Sequence, residues 1–247
     1  MSQQEVLHEH KPVRAGGRKK GKDGDGAKRH DAIYHTISDA IIEHRLRPGA
    51  RLREDALADV FGVSRTGIRK ILQRLALEHL VTLTPRRGAS VTRPTAEEAR
   101  DVFATRQLVE CGIMQDIARH MTSAEARDLR ELAARERKAL KSGEQSVAIK
   151  LSAEFHTRLA RLSDNSVIAE FVGHLCSRSS LILAVYGTSG HLGCESHDHD
   201  ELINLLEAGE GERATAFMGR HLKAIEASLS IVEEENEVPD LHHIFSP

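Results

Sequence analysis

A chain of 247 residues, 40% hydrophobic and 29% charged, is long enough for one large or two smaller packed domains. Its formal net charge of −2 conceals a split: residues 1–93 carry 19 Lys/Arg against 11 Asp/Glu, whereas 94–247 carry 16 against 26. Three cysteines (Cys111, Cys176, Cys194) with no CxxC pair speak against a disulfide framework, and no apolar run approaches the roughly 20 residues of a membrane span.

Residues 1–30, "MSQQEVLHEHKPVRAGGRKKGKDGDGAKRH", hold almost no apolar side chain after Val13 and read as a disordered basic tail. Order is expected from Asp31, where Ile33, Ile37, Ala40 and Ile41 recur at helical spacing until "RPGARL" stops the helix. A second short helix runs from about Glu54 to Phe61, and Gly62–Val63 form a tight turn. Ser64 is the N-cap of a third helix whose apolar face is Ile68, Ile71, Leu72, Leu75 and Ala76. "LVTLTPRRGASVT" then reads as a hairpin around a Pro-Arg-Arg-Gly turn. Helix, helix, turn, helix, hairpin is the order of a winged helix-turn-helix over 31–93. In that motif the N-terminal end of the second helix enters the DNA major groove. This explains cations at a helix end whose dipole disfavours them. Ser64, Arg65, Thr66 and Arg69 would face phosphates and base edges, with Arg86, Arg87 and Gly88 at the wing tip.

The stretch from "IYHTISDAIIEHRLRPGARL" through "ALADVFGVSRTGIRKILQRLALEHLV" to "PRRGASV" resembles the DNA-binding domain of GntR-family bacterial transcriptional regulators along its whole length. Two positions depart from the family pattern. Asp55 stands where an arginine often contacts DNA, and Gly67 stands where the family has Pro or another non-glycine residue, implying a looser first turn of the recognition helix.

Beyond Thr95 no strand pattern remains. "TAEE" and "TSAE" are capping boxes, and helices are expected at about 96–120, 123–141, 145–162, 165–186, 197–208 and 211–235. The fold class is thus mainly α, a winged helix-turn-helix followed by an antiparallel bundle of about six helices over 94–236, with a short tail at 237–247. His156, His199 and His221, from three of these helices, point at a common apolar interior. From spacing alone they are either satisfied core histidines or metal ligands.

"RQLVE", "FHTRLARLSDN" and "HDELINLLEAGEGERATAFMGRHL" resemble the FadR-type (FCD) ligand-binding domain of the same family. The resemblance implies a divalent metal (zinc, nickel or manganese) on one Asp and three His, with a small carboxylate effector completing the coordination. His156, His199 and His221 match the three histidines, but Ser152 occupies the position of the Asp. The cavity then holds metal on three histidines plus water, or anchors an effector without metal. Arg106 and Ser152 are the residues expected to meet the effector, Arg106 through its carboxylate.

The leading reading is a dimeric, effector-responsive regulator in the bacterial cytoplasm, on the nucleoid. It would bind a pseudo-palindromic operator and act as a repressor released by its effector. The alternative is a metal-dependent, hydrolase-like enzyme with an appended DNA module. "SHDHDE" does not support it: a metallohydrolase motif needs Asp at 201 and His at 202, where Glu201 and Leu202 stand, and the nearest general base, Glu154, lies on the far side of the helix from His156.

Overall fold

The computed structural model describes residues 23–187 and 197–231. The first module runs α1 (Asp23–Ile42), β1 (Arg51–Leu52), α2 (Glu54–Phe61), α3 (Arg65–Leu77), β2 (Val81–Thr84) and β3 (Gly88–Val91). The second runs α4 (Ala96–His120), α5 (Ser123–Lys141), α6 (Gln145–Arg161), α7 (Ser166–Tyr186), α8 (Asp198–Glu207) and α9 (Gly211–Ala227). The winged helix-turn-helix and the helical bundle stand as the sequence implies.

Local chemistry starts these helices. Ser64 accepts a hydrogen bond from the Gly67 amide at 3.1 Å, capping α3. Both capping boxes close: Thr95 with Glu98 on α4, and Thr122 with Glu125 on α5. Gly62 takes a left-handed conformation (φ 61°) that ends α2 and turns the chain into α3.

The structure departs from the sequence reading in four places. First, α1 begins at Asp23, eight residues before the expected start, while residues 1–22 of the basic tail lie outside the described residues. Tertiary contact holds the added turns: Arg29 Nη2 donates to the carbonyls of Phe61 (2.8 Å) and Gly62 (3.0 Å) at the C-terminus of α2. Secondly, Arg51–Leu52 form a third strand, giving the order β1-β3-β2, all antiparallel, with Arg51 opposite Ser90 and Leu52 opposite Ala89. Thirdly, α9 ends at Ala227 rather than near 235. The chain turns there, Leu229 bridges Gly187, and the Ser230 amide donates to the Tyr186 carbonyl at 2.8 Å. Residues 232–247, with the expected C-terminal tail, lie outside the described residues, as does Cys194. Fourthly, α7 is, by length and composition, long and apolar enough to cross a membrane, contrary to the sequence reading. Here it packs inside the bundle against α4 and α6, burying Val172, Leu175, Cys176 and Ile182.

Gly67 has a reason that the sequence concealed. A Cβ there would stand 2.9 Å from His30 Nε2, so the bare backbone admits the early part of α1 beside the recognition helix. Alanine normally gains up to about 1 kcal/mol over glycine in a helix. Gly67→Ala alone should therefore gain little thermal stability, whereas in a His30→Ala background the same change should recover that gain. A double-mutant cycle by thermal melting checks this coupling.

The core of the winged domain is not made by that domain alone. Leu181, from α7, is fully buried in one cluster with Ile37, Ile41, Leu72 and Leu80. Around it, His44 Nε2 lies 2.7 Å from the Ser180 carbonyl, and Lys150 pairs with Asp39 and Glu43. Leu181→Ala should cost about 2–5 kcal/mol. Hydrogen exchange should place that loss in α1 and α3 as well as in α7.

A candidate metal centre and a candidate nucleic-acid interface

His156 on α6, His199 on α8 and His221 on α9 are all buried, and one ring nitrogen from each lies within 4.8 Å of the others. The structure brings together the three histidines that the sequence points at one interior. Each ring also has a carboxylate behind it: His156 Nδ1 lies 2.6 Å from Glu110, His199 Nδ1 2.6 Å from Glu136, and His221 Nδ1 3.1 Å from Asp198. A carboxylate at Nδ1 fixes the tautomer that carries its proton there and turns the Nε2 lone pair inward. Three such lone pairs converge. His156 Nε2 and His221 Nε2 face each other at 3.4 Å, and the buried His199 Nε2 has no hydrogen-bond partner among the described residues. Facing acceptors and an orphaned buried acceptor are unfavourable in a satisfied core and favourable around a cation. The three histidines can hold a metal ion.

Electrostatics agree. Burial pushes the His156 imidazole down to about 3 against the opposing pull of Glu110, and burial likewise lowers His221 against Asp198. Burial opposes the charge on Glu110, yet Arg106 and His156 beside it hold its carboxyl below the usual range. The His156 and His221 rings are therefore neutral near pH 7, as ligation requires, and Glu110 is ionised.

Next to the histidines lies a small cavity of about 30 Å³, lined by Arg106, Ser152, His156, Ser179 and Ser180. Both expected effector residues are on its wall. Arg106 is buried, with Nε 2.7 Å from Glu110 Oε1 and Nη1 3.3 Å from Ser179 Oγ. It is both the salt-bridge partner of a helix neighbour and a cavity cation, and the Arg106–Glu110–His156 chain ties cavity to histidine cluster. Position 152 offers a hydroxyl one turn before His156, so no carboxylate enters from there. Glu154, the base that the enzymatic alternative required, is engaged with Arg158 at 2.9 Å.

Sequence reasoning missed Glu110, Glu136 and Asp198. A signal existed for two of them. Glu110 sits among Phe103, Ile113 and Met114, and Glu136 among Leu129, Leu132 and Ala139, so both fall on apolar faces where an acid must have a partner.

On the opposite side of the winged domain, Arg65, Thr66, Arg69 and Lys70 are exposed on the first turns of α3, flanked by Ser64. Arg86, Arg87 and Gly88 are exposed at the wing tip. There Pro85 and Arg86 are the central residues of a turn closed by the Arg87 amide on the Thr84 carbonyl (3.1 Å), and Arg86 has φ +63°. That conformation favours glycine or asparagine, and a cationic residue kept there is a strained one. Arg69 is clasped by Glu54 through two hydrogen bonds of 2.9 and 2.7 Å. Asp55, at the departure from the family pattern, pairs with Arg53 at 2.8 Å.

Comparison with known proteins follows this division. Residues 29–91 match the model of bacterial regulatory proteins of the gntR family, and residues 101–224 match the FCD domain. The HTH-type transcriptional repressor RspR of Escherichia coli is 23% identical over 207 residues, 83% of this chain and 90% of that one. An uncharacterized HTH-type transcriptional regulator in an unstable DNA locus of Streptomyces ambofaciens is 30% identical over 198 residues, 78% of this chain and 81% of its own length. Among solved structures, a putative transcriptional regulator GntR from Rhodococcus sp. RHA1 superposes with a TM-score of 0.72 at 27% identity, covering 81% of this chain and 96% of that one. These families are regulatory and lend no support to the hydrolase-like alternative. The chain belongs to the GntR family of DNA-binding transcriptional regulators, in the branch whose effector-binding domain is FCD.

Proposed function

We propose that this regulator is a homodimeric repressor, without enzymatic activity, that leaves a pseudo-palindromic operator when a small carboxylate binds beside a divalent metal in the helical domain. Such a protein works in the bacterial cytoplasm, at the nucleoid. The observation that carries the reading is the convergence of three carboxylate-backed Nε2 atoms on one point next to a cavity holding Arg106.

Zinc, nickel or manganese bound there would supply a Lewis-acidic centre for an anionic ligand. His156, His199 and His221 would hold the metal, and Glu110, Glu136 and Asp198 would orient their rings. With Ser152 in place of an acid, the protein contributes no anionic ligand among these, so the bound cation retains its charge for the effector. Arg106 would take a carboxylate oxygen by a charge-assisted hydrogen bond. At the other end, Arg65 and Arg69 would read base edges and phosphates, with Ser64 and Thr66 on the backbone. Arg86, Arg87 and the Gly88 backbone would follow the minor groove or its flank. An effector shifts the balance only by binding the two arrangements of the winged domains with different affinity.

The test is operator release. Fragments selected from genomic DNA by the full-length chain are titrated by fluorescence anisotropy with metal-loaded protein. Glycolate, lactate, malonate and citrate are the competing probes. Release of DNA by at least one, dependent on the metal, is the expected result. Unchanged DNA affinity with every probe overturns control by a carboxylate.

A further inference from the structure

The cavity beside Arg106 has room for about two waters, too little for a whole organic effector. Two of its wall residues, Ile149 and Leu183, also line a second, larger cleft of about 630 Å³ between the helical domain and the winged domain. These two residues thus border both spaces. The cleft wall beyond them is basic. Arg47 comes from the link between α1 and β1, and Arg93 follows β3. Both are exposed, and neither side chain forms an ion pair or hydrogen bond among the described residues. No acidic residue is among the described residues that line the cleft; Gln145, Ser146 and His44 supply its remaining polar groups. Two arginines brought together from separate segments, with no counter-charge among the described lining residues, concentrate positive potential in the cleft. The Arg47–Ala50 turn is fastened to the base of the wing, where the Gly49 amide donates to the Val91 carbonyl at 2.9 Å.

We propose that the effector is an elongated molecule with an anionic group at each end. One end binds at Arg106 beside the histidines, the apolar middle displaces and lies along Ile149 and Leu183, and the second anionic end lies between Arg47 and Arg93. This rests on the carboxylate-effector reading above and narrows its ligand class. It also gives the effector a direct hold on the DNA-binding domain, because Arg47 and Arg93 belong to that domain while Arg106 does not. The ligand itself then spans the joint, and its length sets the angle at which the winged domain is held.

The test uses nickel-loaded full-length protein and two series of probes of matched length: adipate, pimelate and suberate against hexanoate, heptanoate and octanoate, with butyrate as the short reference. Affinities are measured by calorimetry. At least one dicarboxylate should bind about tenfold more tightly than the monocarboxylate of equal length, the gain of one further charge-assisted contact. The Arg47→Gln/Arg93→Gln variant should lose that advantage while keeping its nickel content and its butyrate affinity. Equal affinity for the two series in the wild-type protein, or an advantage that survives the double substitution, overturns the two-ended ligand and leaves the carboxylate reading standing. Failure of butyrate and all other carboxylates to bind overturns the carboxylate reading, and this inference with it.

Discussion

Protein purified without chelator or metal-affinity resin should carry close to one zinc, nickel or manganese ion per chain, and His199→Ala should carry almost none. His199 is the sharpest place to cut, because its Nε2 is a buried acceptor without a hydrogen-bond partner among the described residues. In a satisfied core that orphan would cost about 1–3 kcal/mol; bound to a cation, it becomes an asset. Alanine on α8 removes the ring stacked on Phe155 and takes from buried Glu136 its His199 partner, so the variant should melt lower than the wild type, and metal content is compared below both melting points. Metal analysis by mass spectrometry and a thermal melt decide the matter together. Wild-type protein should gain stability on loading, as any ligand of the native state confers, and the variant should not. Glu136→Gln is the companion: it keeps the ring in place but weakens its orientation, and the loss expected of such a supporting group is about 10–100-fold in metal affinity. Acid should remove the metal late. Burial holds His156 neutral down to about pH 3, so its lone pair remains available at pH 5.5, where an exposed histidine at its usual pKa near 6.5 is mostly protonated. Wild-type protein that stays metal-free after loading would refute the site.

Arg69→Ala and Arg65→Ala should each weaken operator binding by roughly 5- to 150-fold, the equivalent of about 1–3 kcal/mol for an arginine reading a guanine edge. Arg86→Ala at the wing tip should instead weaken all sequences alike and reduce the salt slope by about one unit, the signature of a lost phosphate contact. The clasp between Arg69 and Glu54 gives this prediction a second arm. Glu54 holds, by an ion pair, the guanidinium proposed to meet DNA, on the face proposed to meet phosphates. The pair is exposed and worth little to stability, about 0–1 kcal/mol, so Glu54→Gln should leave folding unchanged and raise DNA affinity a few-fold. His221→Ala should leave effector-free DNA affinity intact. Equal losses in His221→Ala and Arg69→Ala, with both proteins folded, would refute this division of labour.

How much of this was legible depended on the range of the interaction that decided it. Ser64, Thr95 with Glu98 and Thr122 with Glu125 act within three residues, and all three helix starts fall where the sequence puts them. The inner face of α3 was legible for the same reason, with Ile68, Ile71, Leu72 and Leu75 all buried. Arg51–Leu52 is a strand only because Ala89 and Ser90 lie beside it, nearly forty residues on, and two residues carry no periodicity of their own. The early turns of α1 depend on carbonyls more than thirty residues away. At the site, histidine spacing pointed to the three buried rings, whereas of the acids behind them Glu110 and Glu136 stood out only as charges on apolar helix faces and Asp198 did not stand out at all. Gly67 shows the opposite error: a residue read as a weakness in the helix is the space into which His30 fits.

The burial of Leu181 among the side chains of the winged domain bears on how such proteins can be recombined. A chimaera cut at residue 93, the natural seam by sequence, would take the reader of one operator without a leucine from its own core. The graft would fit only if the recipient's α7 offered a side chain of similar shape at the same height. Sensor and reader in this chain are therefore transplanted together, or with residues 179–183 exchanged as part of the reader, and a modular design that respects only the linear order of the domains would fail at that one contact.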